Sequence, residues 1–325
     1  MIMKVLLAMV VPVAGILIGL LYKGIDRILA ARMQGRVGPP LVQPLRDVRK
    51  LLVKENIVPD DAVGWLFSSM PFVALVSVMA ILLYLPLGIT PVLEGYGDLI
   101  LVLYLLIIPS LALVLGGFAS SSPYASVGGQ REMVKMMSYE FPLAIAVISV
   151  AWLLYSSGAE NVFSLSVISG THVWGLAGIP GLAGLAVIFL CMLFVIPGEL
   201  GRIPFDVSEA DSEIAGGIFA EYSGRNLALF YLADAVKAVA IASLAVALFL
   251  PYTVSGIFGL GGAAAPAADF LFHLLKVFFV LFVSSTVVRV VTGRLAISRV
   301  VSVYWKYPVI LSFLGLLLIM GGTLI

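Results

Sequence analysis

Apolar stretches of about 20 residues recur along this chain, and they restrict its fold more than any other feature. A helix needs about 20 mostly apolar residues to cross the hydrocarbon core of a bilayer. The chain has eight such stretches, at about residues 2–22, 66–88, 98–119, 140–156, 179–197, 227–250, 269–290 and 306–325. We therefore predict an all-α integral membrane protein with about eight transmembrane helices. The fourth stretch is short, so we expect that helix to be tilted or to begin inside the protein.

Composition excludes several other classes of protein. Hydrophobic residues make up 62% and charged residues 11% of the 325 positions, whereas a soluble domain is about 45–50% apolar and about 25% charged. A net charge of +1 offers no basic surface for nucleic acid. The single cysteine, Cys191, cannot form an internal disulfide, and His172 and His273 lack metal-ligand spacing. We expect one polytopic domain over 1–325, with 2–22 a membrane helix rather than a cleaved signal peptide.

Basic residues are concentrated in alternate connections between the apolar stretches. Sixteen of the nineteen Lys and Arg residues fall in the connections 23–65, 120–139, 198–226 and 289–306. None falls in the connections on the other side, at 89–97, 157–178 and 251–268. Because loops rich in Lys and Arg stay on the cytoplasmic side, we predict that the four basic connections are cytoplasmic. Both termini then lie outside the cell (plasma) membrane.

The first basic connection contains a predicted amphipathic helix over residues 43–55. Its apolar residues repeat with helical spacing and leave the basic residues on the other face. The apolar positions are Leu45, Val48, Leu51 and Leu52, and the basic positions are Arg46, Arg49, Lys50 and Lys54. Such a helix lies on the membrane surface or faces a partner protein. The tight turn at Gly38-Pro39-Pro40 favours a shaped, partner-facing surface over lipid anchoring alone.

The third basic connection, from Glu199 to Arg225, is rich in acids. Six of the eighteen acids lie within 23 residues: Glu199, Asp206, Glu209, Asp211, Glu213 and Glu221. Carboxylates beside membrane helices are costly to keep, which favours a functional role over a solvated loop. Pro204 indicates a helix start capped by Asp206 or Ser208, and on that helix Glu209 and Glu213 would share a face. Neighbouring carboxylates in low dielectric cannot all ionise, so we expect a raised pKa and a proton path.

Ionisable residues also occur inside the predicted membrane helices. Glu140 falls at the membrane boundary of the fourth helix, where it either reaches water or pairs internally. Asp234 and Lys237 lie one turn apart in the sixth helix, a spacing that allows them to pair with each other. An unpaired charge at that depth costs about 2.5–3.5 kcal/mol, so the pair is either structural or part of a proton relay. No hydrolytic triad, phosphate loop or metal motif accompanies these residues, and we predict no catalytic centre and no metal on this chain.

Several motifs together resemble one family of membrane subunits. They are Gly35-Arg36-Val37-Gly38-Pro39, Ser138-Tyr139-Glu140, Glu199-Leu200-Gly201-Arg202-Ile203-Pro204-Phe205-Asp206, Ser208-Glu209-Ala210-Asp211-Ser212-Glu213 and Glu221-Tyr222-Ser223-Gly224. These motifs are similar to those of the H subunit of respiratory complex I. The same family includes the corresponding subunit of energy-converting, membrane-bound nickel–iron hydrogenases. The resemblance extends over nearly the whole chain, including the plan of eight helices.

The resemblance implies a non-catalytic subunit that anchors a peripheral electron-transfer arm and couples redox chemistry to proton or sodium translocation. The predicted proton path comprises Glu140, Glu199, Glu209, Asp211, Glu213, Glu221, Asp234 and Lys237. The predicted docking surface for the arm comprises Arg27, Arg36, Arg46, Arg49, Lys50 and Arg202. No cofactor is expected on this chain. Iron–sulfur clusters and a nickel–iron centre are expected on cytoplasmic hydrogenase-like and iron–sulfur partner subunits, with antiporter-like subunits and lipid as membrane neighbours.

Three departures distinguish the chain from quinone-reducing members of that family. Gly38-Pro39 is followed almost directly by Gln43-Pro44, where complex I subunits carry extra residues in a quinone-facing loop. Asp26 stands where they carry Glu, and Ile28 where many carry Arg. These features resemble the hydrogenase branch, and we expect the M-type subunit of an archaeal-type membrane-bound hydrogenase. The alternatives are a sulfane-sulfur reductase, a quinone-reducing complex I, a stand-alone ion transporter and a plain membrane anchor.

Overall fold

A computed structural model describes residues 2–259, 262 and 265–324, which form helices joined by irregular connections and contain no β-strand. The helices of the first half are α1 (Ile2–Met33), α2 (Gln43–Val53), α3 (Gly64–Tyr84), α4 (Leu99–Ala119), α5 (Pro123–Ser156), α6 (Leu165–Gly170) and α7 (Val173–Leu176). Those of the second half are α8 (Ile179–Glu199), α9 (Asp211–Ile214), α10 (Gly224–Phe249), α11 (Val254–Phe258), α12 (Ala265–Leu281), α13 (Val288–Val291), α14 (Ile297–Tyr304) and α15 (Ile310–Leu324). Two π-helical segments, Phe282–Val287 and Trp305–Val309, join α12 to α13 and α14 to α15.

Eight helical segments among the described residues are long and apolar enough to cross a membrane. They are Leu6–Met33, Gly64–Tyr84, Leu99–Ala119, Pro123–Ser156, Ile179–Glu199, Gly224–Phe258, Ala265–Val291 and Ile297–Thr323. The predicted fold class is confirmed: the chain is an all-α, multi-pass membrane protein. The amphipathic helix is also confirmed, as α2, although its buried residues are Pro44 and Val48 rather than the whole leucine stripe.

Two membrane helices extend well beyond their predicted ends. α1 continues past residue 22 to Met33, and α5 begins at Pro123, so most of the predicted connection 120–139 is helical. At 1.5 Å per residue, the 34 residues of α5 span about 51 Å, which exceeds the hydrocarbon thickness of about 30 Å. Hydropathy had identified only the most apolar half of this helix. Glu140 therefore lies midway along α5 and not at its start.

Helix α10 forms the centre of the bundle. Every residue from Ala235 to Phe249 is buried, as expected for a helix that is surrounded by others. α1, α2, α3 and α12 pack around it. The crossing with α1 is close because a Cβ at Gly19 would lie 2.3 Å from the carbonyl oxygen of Ala235. A larger residue at position 19 would push the two helices apart and open the core beside them.

The acidic loop after α8 is mostly irregular, which overturns two sequence predictions. Its α9 is a single turn with Ala210 at the N-cap, so neither Asp206 nor Ser208 caps it. Asp206 instead forms an ion pair with Arg294 at 2.8 Å. Glu209 precedes α9, and it therefore shares no helix face with Glu213.

Candidate functional site

Glu199 and Lys237 form a buried ion pair at the centre of the site. Glu199 is the last residue of α8, and the Lys237 Nζ of α10 lies 2.7 Å from its Oε1, with side-chain exposures of 3% and 6%. The same Nζ donates a hydrogen bond of 3.0 Å to Ser110 Oγ on α4. Ser110 Oγ lies 3.1 Å from the hydroxyl of Tyr139 on α5. Four helices thus contribute to one buried polar network.

Asp234 is neutralised by two cations, and neither of them is Lys237. Lys23 Nζ on α1 lies 2.6 Å from Asp234 Oδ2, and Arg202 donates to the same oxygen at 2.8 Å. Lys23 also donates to the carbonyl of Tyr231 at 2.9 Å. The predicted Asp234–Lys237 pair is therefore wrong. The spacing in sequence allowed that pair, but α1 supplies Lys23 to Asp234, and α8 supplies Glu199 to Lys237.

A third ion pair, between Glu132 and Lys135, lies within α5. Lys135 Nζ lies 2.6 Å from Glu132 Oε2, and both side chains are almost fully enclosed. Sequence analysis missed this pair because hydropathy placed residues 120–139 in a loop. Opposite charges three residues apart, next to an apolar run, were the available signal.

These three pairs surround one cavity of about 230 Å³, which has room for several water molecules. Gly201 forms part of its wall in a left-handed conformation with φ of +57°. A Cβ at Gly201 would lie 3.4 Å from Lys135 Nζ and 3.8 Å from Glu209 Oε1. Those distances are ordinary van der Waals contacts, so the left-handed backbone, and not a lack of space, favours glycine at this position.

Glu209 lies partly buried on the wall of this cavity. Among the described residues, no Lys, Arg or His nitrogen lies within 4.0 Å of the Glu209 carboxyl oxygens, the limit for an ion pair. Burial, and then the charge of Asp234, raise the pKa of Glu209 to about 7. A raised carboxyl pKa was expected in this loop, but its main cause is burial rather than proximity to Glu213.

A second cavity, of about 240 Å³, lies between α4 and α5 and contains Glu140. Glu199 lines this cavity as well as the first one. Glu199 therefore stands in the wall between the two cavities, paired with Lys237. A carboxylate in that position can accept a proton from one cavity and release it into the other.

The remaining predicted acids lie nearer the surface. Glu213 is exposed and paired with Arg131, while the exposed Asp211 lies 4.0 Å from Arg294. Glu221 is partly buried in the turn before α10. The structure therefore brings together Glu199, Glu209, Asp234 and Lys237 around the first cavity and leaves these outer acids apart from it.

The predicted docking residues do not all lie on one exposed surface. Arg36, Arg46, Arg49 and Lys50 are exposed, the last three on α2. Arg27 binds Asp47 of α2 at 2.8 Å. Burial alone would raise the pKa of Asp47, but hydrogen bonds from Arg27 and Gln43 hold it below its ordinary value. Arg202 is partly buried beside Asp234 and forms no part of that exposed surface.

The sequence matches the family described as NADH dehydrogenase over residues 4–320. The chain belongs to this family. Membership of the NADH dehydrogenase family confirms the resemblance to a complex I subunit that the motifs indicated. Because the match extends over nearly the whole chain, it includes the elements that supply the buried pairs.

Two relatives place the chain more closely within the NADH dehydrogenase family. It is 38% identical over 233 residues to "Hydrogenase-4 component C" of Escherichia coli (strain K12), covering 71% of each chain. Its fold is similar to a chain of the membrane-bound sulfane sulfur reductase, an archaeal respiratory membrane complex, with a TM-score of 0.82. That likeness covers 97% of this chain and 98% of the other at 27% identity. The protein is thus akin to membrane subunits of redox complexes.

Proposed function

We propose that this chain is the membrane subunit of a hydrogenase-type redox complex and couples electron transfer to ion translocation. The observation that carries the proposal is the position of Glu199, paired with Lys237 in the wall between two cavities. One cavity adjoins the acidic loop, and the other contains Glu140. Charged groups inside a membrane bundle cost free energy, and a role in a proton relay explains why they are present.

In the proposed mechanism, electron transfer in a peripheral arm changes the proton demand at its junction with the membrane. Glu209 and Arg202 belong to the acidic loop, and together with Asp234 they respond first to this change in proton demand. Glu199 then exchanges a proton while Lys237 keeps contact with Ser110. Glu140 receives the proton in the second cavity and passes it toward antiporter-like neighbours, where protons or sodium ions move.

The exposed cations of α2, together with Arg36, form the proposed docking face for the arm. Arg27 holds α2 in place through Asp47 and thus positions this face. Iron–sulfur clusters and a nickel–iron centre belong, in this proposal, to the cytoplasmic partner subunits. The excess of Lys and Arg in alternate connections supports a cytoplasmic position for this face, with both termini outside the cell membrane.

The same role in a sulfane-sulfur reductase is the second candidate. Its support is the structural likeness to a subunit of such a complex over nearly the whole chain. The two candidates differ in the partner that would accompany this chain. Nickel in the co-purified complex would support the hydrogenase, and a complex without nickel would favour the reductase.

The coupling role is tested by Glu199→Gln and Glu140→Gln in the assembled complex. Ions moved per electron transferred are measured in sealed membrane vesicles. Glu160→Gln is the matched control, because Glu160 is exposed on the connection that follows the C-terminal end of α5. We expect the ratio to fall at least about tenfold in the two variants and to stay at the wild-type level in the control. An unchanged ratio in both variants would contradict the proposed function.

A further inference from the structure

A third cavity, of about 390 Å³, forms a lateral groove between α1 and α12 on the side of the bundle. Its floor consists of buried residues of α3 and α10, among them Leu82, Val239 and Ser243. At its rim, Val10 of α1 is 58% exposed, and Ala267 of α12 is exposed as well. The groove therefore opens sideways, where a membrane bundle meets lipid or a neighbouring subunit, and it reaches the central helix α10.

The lining of the lateral groove is almost entirely apolar. Its two polar side chains, Ser243 and His273, are hydrogen-bonded to each other at 3.0 Å. An apolar cavity of about 150 Å³ stays free of water and takes up apolar guests, and the groove is more than twice as large. A hydrocarbon group is therefore the occupant that fits its chemistry.

The lateral groove has the length of one leaflet of a bilayer. Along α1 its lining extends from Leu7 to Ile18, which is about 16 Å at 1.5 Å per residue. Half of a hydrocarbon core of about 30 Å is about 15 Å. On α12 the lining extends from Pro266 to Leu274. As the first and seventh spans, α1 and α12 run in the same direction, so the groove lies in the leaflet around their N-terminal ends.

Lys4 lies at the N-terminal end of the lateral groove, on the same face of α1. It is exposed, and it precedes the lining residues Leu7 and Ala14 by three and ten positions, the spacing of one helix face. Lys4 belongs to none of the ion pairs among the described residues. Asp269, near the start of α12, accepts a hydrogen bond of 2.9 Å from Ser255 N of α11. A lipid phosphate would supply the negative charge that Lys4 lacks.

We propose that the lateral groove is a phospholipid site, in which one hydrocarbon chain lies in the groove and the phosphate binds Lys4. The lipid comes from the leaflet around the N-terminal ends of α1 and α12. Its chain contacts α10 at Val239, two residues from the Lys237 that pairs with Glu199. The bound lipid thus completes the packing of the central helix close to the buried ion pair.

The test is photolabelling of the assembled complex in phosphatidylcholine vesicles that contain a phosphatidylglycerol with a diazirine in one chain. Light expels nitrogen from the diazirine, and the resulting carbene inserts into a bond of the side chain it touches. Labelled residues are then located by mass spectrometry of peptides. Val239 and Ser243 are buried and line the groove, so a lipid chain reaches them through it. We expect label on these α10 residues in the wild type.

Two matched variants test whether the label enters through the groove. Val10→Trp puts a bulky ring at the rim, whereas Val13→Trp makes the same change at a residue that is 55% exposed and lies outside the lining. We expect the α10 label to be lost in Val10→Trp and kept in Val13→Trp.

The role of the phosphate is tested with a second probe, a diacylglycerol that carries the same diazirine chain. Because it lacks the phosphate, we expect it to label α10 less than the phosphatidylglycerol does in the wild type. In Lys4→Gln the two probes should label α10 equally. These comparisons do not depend on the assembly of Val10→Trp.

Three results would overturn the inference. The first is label confined to exposed side chains such as Val13, which would mean that the lipid only surrounds the bundle or that a neighbouring subunit covers the groove. The second is an α10 label that persists unchanged in Val10→Trp. The third is equal labelling of α10 by both probes in the wild type, which would exclude recognition of the phosphate by Lys4.

Discussion

Replacing Lys237 with Met would leave Glu199 buried without its cation. Removing one partner of a buried ion pair costs about 3–5 kcal/mol, and this pair is enclosed, with exposures of 6% and 3%. The entropy of unfolding, about 2.1 cal/mol/K per residue, comes to about 0.7 kcal/mol/K for 325 residues. We therefore expect the melting temperature to fall by about 4–7 °C.

The assay is thermal unfolding of this subunit in the purified complex. Lys306→Met makes the same change at an exposed lysine and serves as the control. The double variant Glu199→Gln/Lys237→Met should recover about half of the loss or more, because it leaves no uncompensated charge at the site. A fall of less than about 1 °C in Lys237→Met, or a double variant no more stable than the single one, would refute the reasoning.

Two further predictions concern the docking helix and the cavity. Val48 is 6% exposed, so Val48→Asp should release α2 and reduce the retention of peripheral subunits during purification. Leu52 is 55% exposed, so Leu52→Asp should not reduce that retention. Burial raises the pKa of Glu209 from 4.5 to about 7, so the folded chain keeps a proton that the unfolded chain loses between those pH values. Stability should therefore fall by up to about 3 kcal/mol as pH rises from about 4.5 to about 7. Melting curves near pH 5 and pH 8 should show this loss in wild type and not in Glu209→Gln.

The helices were predictable wherever lipid or a partner helix requires an apolar surface. The eight spans and α2 follow from hydropathy and helical periodicity, which report directly on burial. The start of α5 was not predictable in this way, because residues 123–139 include charged groups that are satisfied by one another inside the protein. Glu132 and Lys135 look like loop residues until their pairing is known.

The site was predictable in composition but not in its pairing. Glu199, Asp234 and Lys237 stood out because charge is rare in this chain. Their partners depend on contacts between helices that lie far apart in sequence, such as α1 with α10. A spacing of one turn between Asp234 and Lys237 could not reveal that Lys23 and Arg202 were closer. The loop conformation at Gly201 and Glu209 likewise depends on packing rather than on a local helix signal.

The pairing of Lys23 with Asp234 has a consequence for how the chain enters the membrane. Lys23 belongs to α1, and its counter-charge, Asp234 on α10, emerges more than two hundred residues later during synthesis. Until then we expect the ammonium group to stay near the membrane surface, where a long side chain reaches water. We therefore expect α1 to reach its final depth only after α10 has been inserted, and to stay nearer the membrane surface in a nascent chain that stops short of α10.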